Sequence, residues 1–223
     1  MKQILLTIIA LAPTVLAADK AGQRLDDAAA VFAEIMAAPD KGIPQDLLDK
    51  ARCVVIVPGL KTGAFVVGAK YGKGFVSCRE MGGPWSAPGS VRVEGGSVGF
   101  QIGGSETDVV MLVMNNRGAE RLLSDQFTLG GEGEVAAGPV GRDATAQTDA
   151  KMTAEILSYS RTHGIFAGVS LQGATLRQDM DDNAELYGRR IKNRAIVRGA
   201  VAAPPAAARL LQELNQYSPH VKA

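Results

Sequence analysis

The sequence is poor in histidine, cysteine and aromatic residues, and neither sign of charge dominates it. Of its 223 residues, 2 are histidine, 2 are cysteine and 5% are aromatic, and the formal net charge is +1. A nearly neutral chain lacks the overall basicity by which nucleic-acid-binding proteins attract phosphate. Two cysteines without a cluster of cysteine and histidine do not make a zinc site. We therefore expect no nucleic acid, metal or cofactor, and any charge-driven partner must meet a local patch.

Long apolar segments are absent apart from the start of the chain. Lys2 precedes an apolar stretch over residues 4–12, and Val15-Leu16-Ala17 supplies the small residues of a cleavage site. The stretch is too short to span a bilayer. We interpret residues 1–17 as a signal peptide and residues 18–223 as the mature chain, formally neutral once Lys2 is removed. The prediction is an exported, periplasmic protein, peripheral to the membrane.

Cys53 and Cys78 both lie in apolar, strand-like runs. Export would permit a disulfide between them. Buried cysteine, however, often behaves as a small hydrophobic residue. We interpret the two residues as buried free thiols, with a disulfide as the alternative.

Glycine is the abundant residue, and it is concentrated in the middle of the chain. Of 26 glycines, 19 lie between Gly59 and Gly141. They follow no Gly-X-Y period, which excludes collagen, and they interrupt the apolar runs too often for a helical bundle. Short β-favouring runs joined by glycine-rich turns favour antiparallel pairing. The predicted runs are 53–57, 62–71, 74–79, 90–93, 97–102, 108–114, 127–138, 152–159 and 165–176.

Helical periodicity is found mainly towards the two ends of the chain. Leu25, Ala28, Phe32 and Ile35 recur at the three- and four-residue spacing of one helix face, which predicts a helix over residues 24–36. Further helices are predicted from residue 44 and over 116–124, 181–191 and 205–217. No linker divides the chain. The predicted fold is a single α+β domain, with a glycine-rich, mainly antiparallel, barrel-like sheet flanked by N- and C-terminal helices.

One motif imitates a catalytic site. Gly95-Gly96-Ser97-Val98-Gly99 satisfies the Gly-x-Ser-x-Gly pattern of hydrolases, and His163 is the one histidine well inside the predicted fold. That chemistry needs a strand, a strained turn and a helix, whereas residues 100–103 continue as strand and turn. We therefore predict no catalytic residue and no enzymatic activity. The alternatives are a serine hydrolase using Ser97 and His163, and a structural, protein-binding envelope component.

Two groups of basic residues are candidate lipid-binding patches. Cations beside aromatic rings suit a membrane interface, because both side chains combine an apolar body with a polar tip. Each Lys or Arg near an anionic bilayer contributes about 1 kcal/mol. The first candidate patch is Lys61, Phe65, Lys70, Tyr71, Lys73 and Arg79; the second is Arg189, Arg190, Lys192 and Arg194.

The second basic group also has a structural interpretation. Acidic residues at the start of the predicted 181–191 helix and basic residues at its end would complement the helix dipole. Glu185 and Arg189 would then form an i,i+4 pair. Such pairing would leave the second group less free to bind a headgroup.

Several segments together resemble the SYLF domain, a lipid-binding module of bacterial exported proteins and of eukaryotic proteins of actin patches and membrane traffic. They lie in order between about residue 21 and residue 217. The matching segments are Gly63-Ala64-Phe65-Val66-Val67-Gly68, Gly72-Lys73-Gly74, Trp85-Ser86-Ala87-Pro88, Gly99-Phe100-Gln101-Ile102-Gly103, Thr107-Asp108-Val109-Val110, Ala137-Gly138-Pro139-Val140-Gly141-Arg142, Tyr159-Ser160, Gly164-Ile165-Phe166-Ala167-Gly168-Val169-Ser170, Asn183 and Tyr187-Gly188.

The resemblance implies a β-rich core with helices at its edges, no known catalysis, and binding to membrane lipids. Eukaryotic members bind phosphoinositides and actin. An exported protein would meet neither actin nor much phosphoinositide, so we carry over membrane lipid as the partner class, with an anionic or phosphoinositide-like headgroup. Phosphoinositide-binding members use a basic N-terminal segment, but the helix over residues 24–36 carries Asp26, Asp27 and Glu34 against Arg24. We expect that helix to pack on the core instead.

Overall fold

A computed structural model describes residues 20–38, 42–64, 67–79, 83–98, 103–132, 134–139, 154–162, 165–166 and 171–219. The predicted signal peptide, Phe65 and His163 lie outside the described residues. Among the helices that are described, none has the length and apolar character needed to cross a membrane. In the same ranges, no three His, Cys, Asp or Glu side chains are placed to hold a metal ion.

Helices precede and follow the sheet, and one short helix interrupts it. In the described residues they are α1 (Lys20–Met36), α2 (Gln45–Lys50), α3 (Asn116–Leu122), α4 (Met180–Tyr187), α5 (Asn193–Val197) and α6 (Ala208–Tyr217), with a 3-10 turn at Pro205–Ala207. The face predicted for α1 is confirmed, since Leu25, Ala28, Phe32 and Ile35 are all fully buried. α1 therefore packs on the core.

Within the described ranges, nine strands form one curled sheet. They are β1 (Cys53–Ala64), β2 (Val67–Cys78), β3 (Gly89–Val98), β4 (Gly103–Val113), β5 (Gln126–Thr128), β6 (Val135–Ala137), β7 (Ile156–Thr162), β8 (Ile165–Phe166) and β9 (Thr175–Gln178). Their order is β5-β9-β3-β2-β1-β4-β7-β6, with β8 paired to β7. β6 and β7 are parallel and the other pairs are antiparallel. The predicted α+β fold with a mainly antiparallel sheet is confirmed.

Apolar side chains cover both faces of the central strand, β1. Val54 and Ile56 cluster with side chains of α1, α2 and α6 on one face, which we call the helix face. Val55 and Val57 point to the opposite, concave face, where they cluster with side chains of β3, β5 and β9. A strand buried on both faces gives a continuous apolar run. This explains why residues 53–57 show no alternation of polar and apolar side chains.

Several of the predicted strand runs have wrong boundaries. The run over residues 62–71 crosses the connection between β1 and β2, and the run over 97–102 crosses the end of β3. Ala64-Phe65-Val66-Val67 is as apolar as a strand, so composition alone does not mark this reversal of the chain. β3 also continues through residues 94–96, where two glycines led us to expect a turn.

Cys53 and Cys78 form a disulfide, so their interpretation as free thiols is wrong. The two residues are directly opposite on the antiparallel strands β1 and β2. Opposite residues of an antiparallel pair have side chains close together on one face. The two cysteines are 25 residues apart in the sequence, and the pairing of β1 with β2 is what places their thiols side by side. The bond closes the end of the β1–β2 hairpin farthest from its connection at residues 65–66.

The helix predicted over residues 181–191 ends earlier than expected. α4 stops at Tyr187, and Gly188 follows it in the left-handed conformation that ends many helices. Arg189 lies beyond this end, so the predicted Glu185–Arg189 pair is wrong. Glu185 instead accepts a hydrogen bond from the backbone N–H of Ala21 (3.2 Å) and so joins α4 to α1.

Candidate functional site

Lys61 and Tyr71 lie side by side on the β1–β2 hairpin. They are direct cross-strand partners, so their side chains share a face. Tyr71 is 49% exposed and is the one exposed large hydrophobic side chain among the described residues. Lys61 is also exposed and forms no ion pair within the described part of the chain. The structure thus brings together one cation and one aromatic ring of the first predicted patch.

A β-bulge at Pro58-Gly59 turns Lys61 toward the helix face. The register of β1 against β4 shifts by one residue between Val57 and Leu60, and such a shift exchanges the two faces of a strand. Leu60 continues the concave core begun by Val57, so Lys61 points the other way. Gly59 adopts a left-handed conformation (φ 58°) that glycine tolerates. Its N–H donates a hydrogen bond to Asp108 Oδ1 (3.0 Å).

A cleft of about 620 Å³ separates these side chains from α1. Its floor is formed by the neighbouring strands β2, β1 and β4, and α1 forms the facing wall. This volume is within the usual range for small-molecule sites, but the lining is mainly charged. The lining side chains include Arg24, Asp27, Val31 and Glu34 from α1, Lys61 from β1, Tyr71 and Lys73 from β2, and Glu106 and Asp108 from β4.

Lys73 belongs to an ion cluster that joins three elements. Its Nζ lies 2.8 Å from Asp179 Oδ2 and 2.8 Å from Asp182 Oδ1, and Asp182 also pairs with Arg24. Burial alone would lower the pKa of Lys73 and raise that of Asp179. Burial is the largest single influence, but the hydrogen bonds and opposite charges around each group together outweigh it, so the pKa of Lys73 is raised and that of Asp179 is lowered. Lys73 therefore holds β2 to α4, and Arg24 joins α1 to the same cluster.

A second set of charges is also matched within the fold. Arg161 of β7 forms an ion pair with Glu34 of α1 and lies 3.9 Å from Asp108. After these pairings, Lys61, Asp27 and Glu106 are the cleft side chains that form no ion pair in the described residues. Glu106 is not among the residues predicted for the site from the sequence, because it becomes a neighbour of Lys61 only through the pairing of β1 with β4.

Lys70 lies on the opposite face of β2 from Tyr71. It is two residues from Gly72, where an added Cβ would contact Leu60 and Val57 of the concave core. Lys70 is half-buried, and this burial lowers its pKa. The structure therefore does not bring Lys70 into one surface with Lys61.

Arg79 is a buried structural residue, only 8% exposed. Its guanidinium donates to Ser218 O (3.0 Å), Ser218 Oγ (2.6 Å), Leu48 O (3.1 Å) and Asp49 O (3.1 Å). It also lies over the ring of Trp85, 4.1 Å from the centroid. These contacts join β2 to α2 and to the end of α6, and they leave no donor face for a headgroup. We exclude Arg79 from the candidate surface.

The second basic group is largely neutralised by carboxylates from other parts of the fold. Arg190 pairs with Asp181, Lys192 with Asp125 (3.1 Å), and both Arg194 (2.5 Å) and Arg198 (2.6 Å) with Glu120. The hydrogen bonds from these arginines lower the pKa of Glu120. Arg189 is exposed and has no ion pair in the described residues. This pairing supports the structural interpretation of the group over a headgroup site.

The first four residues of the Gly-x-Ser-x-Gly motif lie in a strand. Residues 95–98 belong to β3, and Ser97 pairs with Gly68 of β2. A hydrolase would place its serine on the tight turn between a strand and a helix. The hydrolase alternative thus lacks its required local structure. The side chain of Ser97 lies outside the described residues, as does His163.

Comparison with known proteins extends the resemblance seen in the sequence. The chain is 40% identical over 177 residues to an SH3 domain-containing protein of Schizosaccharomyces pombe, covering 78% of this chain and 41% of the relative. It is 35% identical over 180 residues to Protein YSC84 of Saccharomyces cerevisiae (79% and 38%). It is 34% identical over 181 residues to the human SH3 domain-containing YSC84-like protein 1 (81% and 53%). The chain spans about half the length of these curated relatives, or less.

A family model described as "Ysc84: Las17-binding protein actin regulator" matches residues 94–217, which is more than half of the chain. The match covers β4 and all the later strands and helices of the described residues, together with the second half of β3. It confirms the predicted resemblance to the SYLF domain. On these grounds the chain belongs to the Ysc84 family, whose domain is the SYLF domain.

Proposed function

We propose that this protein is a non-enzymatic, exported, membrane-peripheral protein that binds anionic or amphiphilic lipids. The observation that carries the proposal is the exposed Tyr71 ring beside the unpaired Lys61 on one face of the β1–β2 hairpin. An aromatic ring with a polar hydroxyl is suited to the boundary between headgroups and acyl chains. Lys61 adds attraction to lipid phosphate.

The binding surface is smaller than the sequence suggested. Lys73 and Arg79 are engaged within the fold, and Lys70 lies on the other face. A single lysine near an anionic surface contributes about 1 kcal/mol, so we expect weak, reversible association. Phe65 lies in the segment that connects β1 to β2 and remains a proposed contact, as does Arg189, a separate exposed cation.

Two observations support export. The first residues have the composition of a signal peptide, and Cys53 and Cys78 form a disulfide, a bond that persists mainly in oxidising compartments. Fractionation of cells producing the full chain, with alkylation of free thiols before lysis, tests this. We expect shortened, disulfide-bonded protein in the periplasmic fraction. Uncleaved protein with two reactive thiols in the cytoplasm would contradict export.

Vesicle flotation at low salt tests lipid binding. We expect the protein to float with vesicles containing anionic phosphatidylglycerol, and both Tyr71→Ser and Lys61→Gln to reduce the bound fraction. Lys192→Gln is the matched control, because Lys192 is equally basic and exposed but is paired with Asp125. Failure of the wild-type protein to bind any vesicle would overturn the proposal. If Lys192→Gln reduces the vesicle-bound fraction as much as Lys61→Gln does, lipid binding would no longer be assigned to the Lys61–Tyr71 surface.

A second candidate function rests on the description of the family, which names Las17 binding and actin regulation. If this chain shares that property, it is a protein-binding module. Co-sedimentation with actin filaments in the absence of lipid distinguishes the two functions. Saturable binding to filaments would favour the protein-binding candidate, whereas floating with vesicles but not sedimenting with filaments would favour lipid.

A further inference from the structure

Three side chains of different chemistry form a row across neighbouring strands. Tyr71 of β2 is directly opposite Lys61 of β1, and Lys61 is directly opposite Glu106 of β4. Adjacent strands are about 4.8 Å apart, so the row places a carboxylate, an ammonium and an aromatic ring side by side over about 10 Å. All three line the cleft beneath α1, and Asp27 lines it from the α1 side.

The charges left unmatched in this cleft are of both signs. The cations Arg24 and Lys73 are matched by Asp179 and Asp182, as described above. Lys61, Asp27 and Glu106 form no ion pair in the described residues. With two carboxylates against one ammonium, a ligand that carries only negative charge matches the cleft less well than a ligand that carries both signs. A ligand with a positive group beside a negative one would satisfy both signs.

We propose that this cleft binds the zwitterionic phosphoethanolamine group, in which a phosphate is joined to a primary ammonium. Lys61 would contact the phosphate, Glu106 and Asp27 would accept hydrogen bonds from the ammonium, and Tyr71 would lie against the part of the ligand that continues beyond the phosphate. A primary ammonium has three N–H donors suited to carboxylates. A quaternary choline has none and is recognised by cages of several aromatic rings, whereas this cleft has one.

This inference deepens the proposed lipid-binding function and rests on it for the source of the ligand. The same chemistry occurs in the soluble glycerophosphoethanolamine and in the phosphatidylethanolamine of a bilayer. It also differs from the expectation drawn from the sequence, which was an anionic or phosphoinositide-like headgroup. The carboxylates of the cleft give the reason for the difference, since they would repel a multiply charged phosphate.

Titration of the full mature protein with soluble headgroups, followed by backbone amide NMR shifts, tests the site without a membrane. The probes are glycerophosphoethanolamine, glycerophosphocholine and glycerophosphoglycerol. We expect the ethanolamine compound to bind more tightly than the other two, with shifts around Lys61 and Glu106. Glu106→Gln and Asp27→Asn should each weaken it about two- to fivefold, the range for an exposed ion pair. Asp26→Asn is the control, because Asp26 is an exposed neighbour on α1 that does not line the cleft.

Flotation supplies the second arm, using phosphatidylcholine vesicles with equal fractions of either phosphatidylethanolamine or phosphatidylglycerol. Preferential binding to the ethanolamine vesicles, lost in Glu106→Gln, would support the inference with lipid as the source. If vesicles bind but ethanolamine gives no preference, or if Asp27→Asn behaves like Asp26→Asn, the inference is overturned while lipid binding stands. If no vesicle binds, the proposed function fails and the headgroup titration alone decides the inference.

Discussion

Replacement of Arg79 by alanine distinguishes a structural residue from a lipid ligand. The sequence placed Arg79 in the first lipid-binding patch, whereas the structure buries its guanidinium among Ser218, Leu48 and Asp49. Arg79→Ala removes a buried cation together with its hydrogen bonds to backbone carbonyls of α2 and of the end of α6. We expect a large loss of stability and no direct effect on lipid binding.

The contacts allow the size of this loss to be estimated. Arg79 donates four hydrogen bonds, and the loss of each such bond costs about 1 kcal/mol, or about 4 kcal/mol together. The lost contact with the Trp85 ring, 4.1 Å away, adds to this. For a domain of this size, 1 kcal/mol corresponds to about 2–4 °C in Tm. Arg79→Ala should therefore lower Tm by about 8–16 °C.

Thermal unfolding followed by circular dichroism measures the change, with Arg189→Ala as the control. Arg189 is exposed beyond the end of α4, and substitutions at such positions change stability by less than about 0.5 kcal/mol. Flotation of the wild-type protein and of Arg79→Ala, below the Tm of both, then tests lipid binding. An Arg79→Ala variant with unchanged Tm but lost vesicle binding would refute the structural assignment and restore the interpretation as a lipid ligand.

Two further predictions concern the close packing of β1 and β2 and the ion cluster beneath α1. Gly74→Ala would place a Cβ 2.0 Å from the carbonyl oxygen of Ile56, whereas the Cβ of Gly63→Ala meets nothing within 4 Å. Urea unfolding should show that Gly74→Ala loses about 3 kcal/mol or more of unfolding free energy and that Gly63→Ala changes it little. Equal losses in the two variants would contradict this packing. The pKa of Asp179 is lowered and that of Lys73 is raised. The stabilisation by Asp179 is therefore present above the ordinary carboxyl pKa and is lost as pH falls through the lowered pKa. The stabilisation by Lys73 is lost only as pH rises through the raised pKa of Lys73. Asp179→Asn should then destabilise the protein near pH 7 and flatten the decline in unfolding free energy toward acid; parallel declines in the two proteins would contradict the pairing.

Helix faces could be predicted from the sequence because they depend on neighbours three and four residues away. Leu25, Phe32 and Ile35 are buried as their spacing indicates, and Leu210 and Leu214 of α6 likewise. The ends of helices were less certain, since α4 ends at the left-handed Gly188 rather than where its basic residues end. The overall class followed from the glycine-rich strand composition.

The candidate site could be predicted only in part, because it depends on which strands pair and in what register. Lys61 and Tyr71, which are close in the sequence, lie side by side because both belong to one hairpin. Lys70 and Lys73 belong to the same short stretch, but the strand alternation sends them to opposite faces. Glu106 is distant in sequence and meets Lys61 through the β1–β4 register, which no local pattern reveals.

The bulge at Pro58-Gly59 exchanges the faces on which odd- and even-numbered residues of β1 lie. Up to Val57 the odd-numbered residues of β1 face the concave core, and beyond the bulge the even-numbered ones do. Deleting one residue here would exchange the environments of Leu60 and Lys61, burying an ammonium and exposing an apolar side chain, although every residue type would be retained. When homologous sequences are aligned with a gap at this point, the gap should be placed so that core-facing residues match core-facing residues. An error of one residue would match surface positions of one protein to core positions of another.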